Sequence, residues 1–224
     1  MRRAQIAAAL MFVVAGSAAA FVMISRHPSG PRQYHAPPPR APIVADGAAE
    51  TSPPLAGRIP ISGAQLHEAE AAGLVDRPIK TILDVPQRMS YGEFVWNDRG
   101  VPAGPVWVRV DLGSQLISVF RSGHEIGTAV VLYGADGLPT PTGKFPILAK
   151  WKDHKSATYG DAPMPYTLRL TNDGVAIHGS NVRWGFATHG CVGVPKDFAA
   201  KLFDVVSKGD EVSIVAAKAP TKPA

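Results

Sequence analysis

Two histidines and the single cysteine of this chain fall within a window of 14 residues, in Ile177-His178-Gly179-Ser180-Asn181 and Thr188-His189-Gly190-Cys191-Val192-Gly193-Val194. A thiol nucleophile needs a base or a cation beside it, because a free cysteine ionises only near pH ~8.5. It also needs backbone N–H groups aimed at the developing oxyanion, next to a residue small enough for the substrate to approach. His178 or His189 meets the first need, and the amides around Gly190 and Cys191 meet the second. Residue types alone leave three readings open. A Cys–His pair performs acyl transfer; or His178, His189 and Cys191, joined by His154, hold a metal; or these are core and turn residues whose glycines serve tight bends. Zinc accepts such ligands, but structural zinc sites usually show paired close spacings, and no second pair exists here.

Stepping outward, 224 residues suffice for one sizeable core and a small accessory unit. Met1-Arg2-Arg3 leads into Ala4 to Ser25, 22 residues without a charge, which is the pattern of an export signal. Ala18-Ala19-Ala20 offers a cleavage site, yet Phe21 to Ile24 continues the apolar run beyond it. At ~1.5 Å per residue the run is long enough to cross a membrane, so residues 1–25 are expected to be an uncleaved anchor or a signal peptide. Either way, the rest of the chain is expected in the periplasm or cell envelope. One cysteine in an exported chain cannot form an intrachain disulfide, so Cys191 is an inert core thiol, an intermolecular bridge or a reactive group. The formal charge is +5, but residues 105–217 carry 11 Lys/Arg against 10 Asp/Glu, and no basic stripe interleaved with aromatics marks a nucleic-acid surface.

The elements that must position the three residues follow from pattern. Residues 26–58 are rich in Pro and Ala and read as a linker. Ser62-Gly63-Ala64-Gln65 has capping-box spacing, so a short helix is expected over Leu66 to Ala72, ended by Gly73. Residues 59–104 are expected to be an N-terminal extension, with no regular element assigned to Ile79–Trp96. From Pro105 the pattern changes: Val106, Val108 and Val110 alternate with Trp107 and Arg109 as in a half-buried strand. Further strands are expected at Leu116–Phe120, Ile126–Tyr133, Lys144–Ala149, Thr167–Leu170 and Gly174–Ile177, the last ending at His178. After the cysteine, Pro195 opens a helix with Phe198, Leu202, Val205 and Val206 on one face, ended by Gly209, and Val212 and Ile214 alternate in a closing strand. The fold class is therefore mainly β with one or two helices, and 218–224 is a tail.

The region from Pro105 to about Val215 resembles an L,D-transpeptidase catalytic domain of the YkuD type. The parts occur in the family's order: Val108 to Leu112 with Gln115-Leu116, Thr140-Pro141-Thr142-Gly143-Lys144-Phe145, Met164-Pro165-Tyr166, Ala176-Ile177-His178-Gly179-Ser180, Thr188-His189-Gly190-Cys191 and Gly209-Asp210-Glu211-Val212. The resemblance implies a β-sandwich or barrel over 105–217 with a helix after the cysteine. It implies Cys191 as nucleophile and His178 as general base, the imidazole oriented by the Gly179 carbonyl. His189 and Gly190 would shape the site and its oxyanion hole, and Tyr166 and Ser180 would contact substrate. Two departures stand out: many members carry Arg or Asn two residues after the cysteine, where this chain has Gly193, and Asn181–Ala187 is short.

What the resemblance implies chemically is a two-step acyl transfer on peptidoglycan stem peptides, giving 3–3 cross-links with release of D-alanine and needing no metal or organic cofactor. An L,D-carboxypeptidase on the same fold and a non-catalytic wall-binding protein are the alternatives. A papain-like protease would place its cysteine before its histidine, and here His178 precedes Cys191.

Overall fold

The computed structural model describes residues 33–34, 55–71, 75–135 and 137–216. The expected leader or anchor over 1–25, most of the 26–58 linker, the helix stop at Gly73 and the 218–224 tail lie outside the described residues. Among the described residues, no helix is long and apolar enough to cross a membrane. In chain order the elements are β1 (Gln33–Tyr34), β2 (Arg58–Pro60), α1 (Gly63–Ala71), β3 (Thr81–Leu83), β4 (Phe94–Trp96), β5 (Val106–Asp111), β6 (Leu116–Arg121), β7 (His124–Val130), β8 (Gly143–Pro146), β9 (Ala149–Trp151), β10 (Thr167–Arg169), β11 (Ala176–Ser180), β12 (Val192–Pro195), α2 (Lys196–Val205) and β13 (Glu211–Val215). Among the described residues the fold is mostly β with two helices, as the pattern implied.

One sheet has nine strands in the order β1-β4-β7-β6-β5-β13-β8, with β3 set against β7 and β2 against β3; the other runs β12-β11-β10-β9. Both sheets are open, so the barrel closure entertained from the resemblance does not occur. Between them lies one core, to which Val108, Val110, Ile117, Val119, Ile126, Leu168, Ile177, Val192, Phe198, Val212 and others contribute. The alternation in β5 holds, with a physical twist. Val108 and Val110 face this core, but Trp107 is also buried, because a smaller cluster with Phe120 and Ile79 covers the opposite face. Both faces of the sheet's centre are therefore dry.

The segment 59–104 supplies part of that sheet. β4 pairs with β7, and Phe94 is fully buried in the main core. Ile79–Trp96 thus contains two strands where none was assigned; each is only three residues long, too short for alternation to register. Arg58, the last residue of the stretch read as linker, is buried and donates from Nε to the Glu125 carbonyl at 3.2 Å. The capping box forms as expected: Ser62 N–H donates to Gln65 Oε1 at 2.9 Å and Gln65 N–H to Ser62 Oγ at 3.3 Å.

Several boundaries differ from expectation, one of them because the chain changes sheets. The single strand expected over Lys144–Ala149 is two. β8 pairs with β13, the chain turns at Ile147, and β9 pairs with β10 of the other sheet. Ile147 N–H donates to Asp210 O at 2.9 Å and Leu148 N–H to Arg169 O at 2.8 Å, so consecutive amides serve different sheets. His178 lies in the middle of β11 rather than at its end. Pro195 closes β12 and serves as the N-cap of α2, and the helix ends at Val205, so Gly209 belongs to the turn before β13.

α2 ties the two sheets together. Phe198, Ala199 and Leu202 are its buried face, and the Phe198 ring meets Phe94 at 5.8 Å and Trp96 at 5.5 Å, both edge-on. The helix has no basic residue in its last turn; instead Lys150 of β9 donates to the Phe203 carbonyl at 2.6 Å and to that of Val206. A cation there complements the negative end of the helix dipole. Because Phe198 is the contact between α2 and β4, Phe198→Ala is expected to cost about 3–5 kcal/mol. Denaturant unfolding followed by circular dichroism measures this, and a loss under about 1 kcal/mol would show that α2 is not anchored through this ring.

Candidate active site

β11 alternates like any strand, and that alternation builds the site. Ala176, His178 and Ser180 line a cleft of about 710 Å³, while Ile177 is buried in the core. The Gly179 amide donates to Pro165 O at 2.8 Å, and a Cβ at 179 would lie 3.1 Å from the Pro165 ring and 3.4 Å from Ala199. Gly179 therefore lets the strand sit against α2. β12 runs parallel to β11, with Ile177 opposite Val192 and His178 opposite Gly193. Cys191 precedes Val192, so it enters the same cleft one strand away from His178.

The backbone at Cys191 is fixed by hydroxyls. Its carbonyl accepts from Thr188 Oγ1 at 2.5 Å and from Thr140 Oγ1 at 3.4 Å, and Thr140 Oγ1 in turn accepts from the Gly134 amide at 2.9 Å. Gly190 is buried with φ +102°, a conformation that favours glycine. The Cys191 Sγ lies 3.9 Å from the Gly174 carbonyl. Sequence reasoning gave Thr140 and Thr188 no role of their own, although both stand in the two quoted motifs.

His178 Nδ1 is 3.1 Å from the Gly179 carbonyl. A carbonyl can only accept, so Nδ1 carries the proton and Nε2 is left as the acceptor. Burial pushes this imidazole below its ordinary range; the Gly179 bond pulls it back up, and the charge of His154 adds to the lowering. Burial also pushes the Cys191 thiol up, against a backbone bond with Ala176. Both shifts favour the uncharged forms. The arrangement suits a base that takes the thiol proton during attack, not a standing thiolate–imidazolium pair.

Two further histidines face the cleft, each under an aromatic ring. His189 stacks on Tyr159 at 4.3 Å, and His154 on Trp151 at 5.0 Å. Tyr159 comes from a hairpin loop in which Ser156 N–H donates to Ala162 O at 3.0 Å and Met164 N–H to His154 O at 2.8 Å. Neither Tyr159 nor Trp151 was singled out from the sequence, since nothing in their spacing relates them to the histidines. Among the described residues, no three His, Cys, Asp or Glu side chains come together as a metal site.

Ser180 lines the cleft, and Tyr166 does not. Tyr166 sits at φ +56° and turns its ring edge-on to Phe203 at 5.9 Å, partly covering the core. Gly193 is explained by packing. It exchanges two bonds with Leu132, at 2.8 and 2.9 Å, and a Cβ there would lie 3.0 Å from that of Ser180.

Residues 105–214 match the YkuD family model, described as the L,D-transpeptidase catalytic domain. Among curated proteins, L,D-transpeptidase 1 of Mycobacterium tuberculosis is 29% identical over 46% of this chain and 48% of its own length. The chain thus spans about half the length of the curated relatives it matches. Among solved structures, an L,D-transpeptidase from Stackebrandtia nassauensis is 27% identical, covering 51% of this chain and 57% of its own, with a TM-score of 0.47. One from Mycobacterium smegmatis is 26% identical, with 50% and 58% covered and a TM-score of 0.45.

The two shifted groups give a measurable profile. Alkylation of Cys191 by iodoacetamide is expected to rise in a single step whose midpoint lies above that of an ordinary thiol, because burial opposes the thiolate. A plateau of reactivity persisting below pH 6 would instead reveal a standing ion pair. Packing at Gly193 gives another expectation: Gly193→Asn costs about 1–3 kcal/mol by overpacking against Ser180. Gly63→Ala, where nothing lies within 4 Å of the new Cβ, serves as control and leaves thermal stability unchanged or slightly raised.

Proposed function

We propose, from the premise that residues 105–214 are a YkuD-type L,D-transpeptidase catalytic domain, that the chain is an exported enzyme that cross-links peptidoglycan stem peptides through an acyl-enzyme on Cys191. The observation that carries this reading is that His178 on β11 and Cys191, just before the parallel neighbour β12, line one cleft, with His178 Nδ1 held on the Gly179 carbonyl. That bond leaves Nε2 free for the thiol proton.

In the first step the Cys191 sulfur attacks the carbonyl of the third stem residue while Nε2 of His178 takes the thiol proton. The tetrahedral intermediate puts negative charge on the carbonyl oxygen, where the amides near Gly190 and Cys191 are the candidate donors. Collapse breaks the peptide bond, His178 returns the proton to the departing amine, and D-alanine leaves. In the second step the side-chain amine of a neighbouring stem attacks the thioester, His178 accepts the amine proton, and the thiol is restored as the 3–3 link forms. Water in place of the amine would give a carboxypeptidase product from the same intermediate. The cleft volume fits a short peptide.

Incubation of the purified chain with disaccharide-tetrapeptide muropeptides, followed by mass spectrometry, tests the proposal. Loss of D-alanine with dimer formation is expected, and Cys191→Ala abolishes both. His178→Ala lowers turnover by about 10²–10⁴-fold, the usual weight of a general base, whereas His154→Ala has a far smaller effect. Near-normal turnover in Cys191→Ala would sink the nucleophile assignment. Equal losses at His178 and His154, reversed by added zinc, would favour metal chemistry instead.

A further inference from the structure

A second cleft, of about 920 Å³, opens on the other side of the segment that joins His178 to Cys191. Its floor is the outer face of β6 and β7, where Ser118, Thr128 and Glu125 point outward, and its walls are the loop 85–91 and the turn 113–115. Glu125 is buried; one carboxylate oxygen accepts the Leu83 amide at 2.8 Å. At the rim, Tyr91 donates its hydroxyl to Gln115 Oε1 at 2.8 Å and meets Trp184 at 5.6 Å with the ring planes 70° apart. Trp184 is 80% exposed, so most of the indole surface is open. A large aromatic left in water costs free energy unless something covers it.

The connection between the clefts is physical. Ser180, Ala187 and Thr188 line the first, and Trp184 lines the second. Val182, buried between these points, approaches the loop at Gly92, where a Cβ would lie 3.3 Å from the Val182 carbonyl. One strap of chain is thus a shared wall. From Ala187 to Trp184 the Cα separation is at most about 11 Å, given ~3.6 Å per extended residue.

We propose that this second cleft is a saccharide subsite that takes the amino-sugar rings of the glycan strand while the attached stem lies in the catalytic cleft. This rests on the reading of the chain as a peptidoglycan enzyme. The chemistry fits a pyranose, which has apolar C–H faces for stacking on Trp184 and Tyr91 and a rim of hydroxyl and acetamido groups for Ser118, Thr128, Gln115 and Glu125. An apolar ligand would leave those floor groups, and Arg88 which also lines the cleft, unmatched. A lactyl group and three residues, about 14 Å when extended, separate the sugar from the scissile carbonyl, and the two clefts share one strap of chain as a wall.

Binding is read first without the peptide. A chitin tetrasaccharide titrated into the full chain is expected to shift the tryptophan fluorescence, and Trp184→Ala weakens binding at least about tenfold by calorimetry. Phe186→Ala, which removes an exposed ring on the same strap that lines neither cleft, leaves binding unchanged. In the transfer assay, Trp184→Ala raises KM for the disaccharide-tetrapeptide about tenfold with kcat preserved, and does not alter KM for the free tetrapeptide. The subsite is overturned if the tetrasaccharide does not bind, if Phe186→Ala weakens it as much, or if both donors lose equally in Trp184→Ala. The binding arm needs no turnover, so an inactive chain that still binds sugar through Trp184 would overturn the catalytic reading and leave the subsite standing.

Discussion

The parallel pairing of β11 with β12 is the constraint on which the site depends. Parallel neighbours require a crossover, and such connections usually run to a dozen residues or more. Here eleven residues lie between Ser180 and Val192, with no helix among them. A connection that short has to be pinned at intervals. Val182 is buried, Thr188 exchanges bonds with Tyr133 and Ala135, and Gly190 turns the chain at φ +102° just before Cys191. These contacts fix the path by which Cys191 enters the cleft that His178 lines. The glycines of the two motifs are thus explained by backbone geometry and close packing before any chemistry is invoked.

Dryness then sets the electrostatics. The cleft face of β11 is backed by a core continuous with the first sheet, and α2 seals its far side. Both His178 and Cys191 are driven toward their neutral forms by that burial, and the neighbouring His154 reinforces the effect on His178. A neutral pair is less reactive toward stray oxidants than a standing thiolate.

Much of this was legible in the sequence, and the failures have a common cause. The His178 and Cys191 motifs, the helix from Lys196 and the alternation in β5 and β13 could all be read, because each is a local pattern. Pairing is not local. The two strands between Ile79 and Trp96 are too short to show periodicity, and only their contact with β7 makes them strands. The run Lys144–Ala149 reads as one strand because the change of sheet falls at Ile147, marked only by backbone bonds to partners distant in sequence. Tyr166 could be placed by motif but not by rotamer; its positive φ swings the ring onto Phe203. Thr140 lies 51 residues from the carbonyl it holds, a relation that no spacing rule reveals.

The same logic bears on the two departures from the family pattern. An Arg or Asn two residues after the cysteine would project from β12 beside Ser180, and here Ser180 and Leu132 already close around Gly193. The backbone of Gly193 is committed as well, because its amide and carbonyl bridge to Leu132 and join the second sheet to the chain leaving β7. A side chain at 193 and this close junction exclude each other. The shorter strap between the motifs follows the same trade, since it is drawn down against Gly92 and Tyr91 and not arched over the cleft. The strap so drawn down leaves the indole of Trp184 outside, 80% exposed.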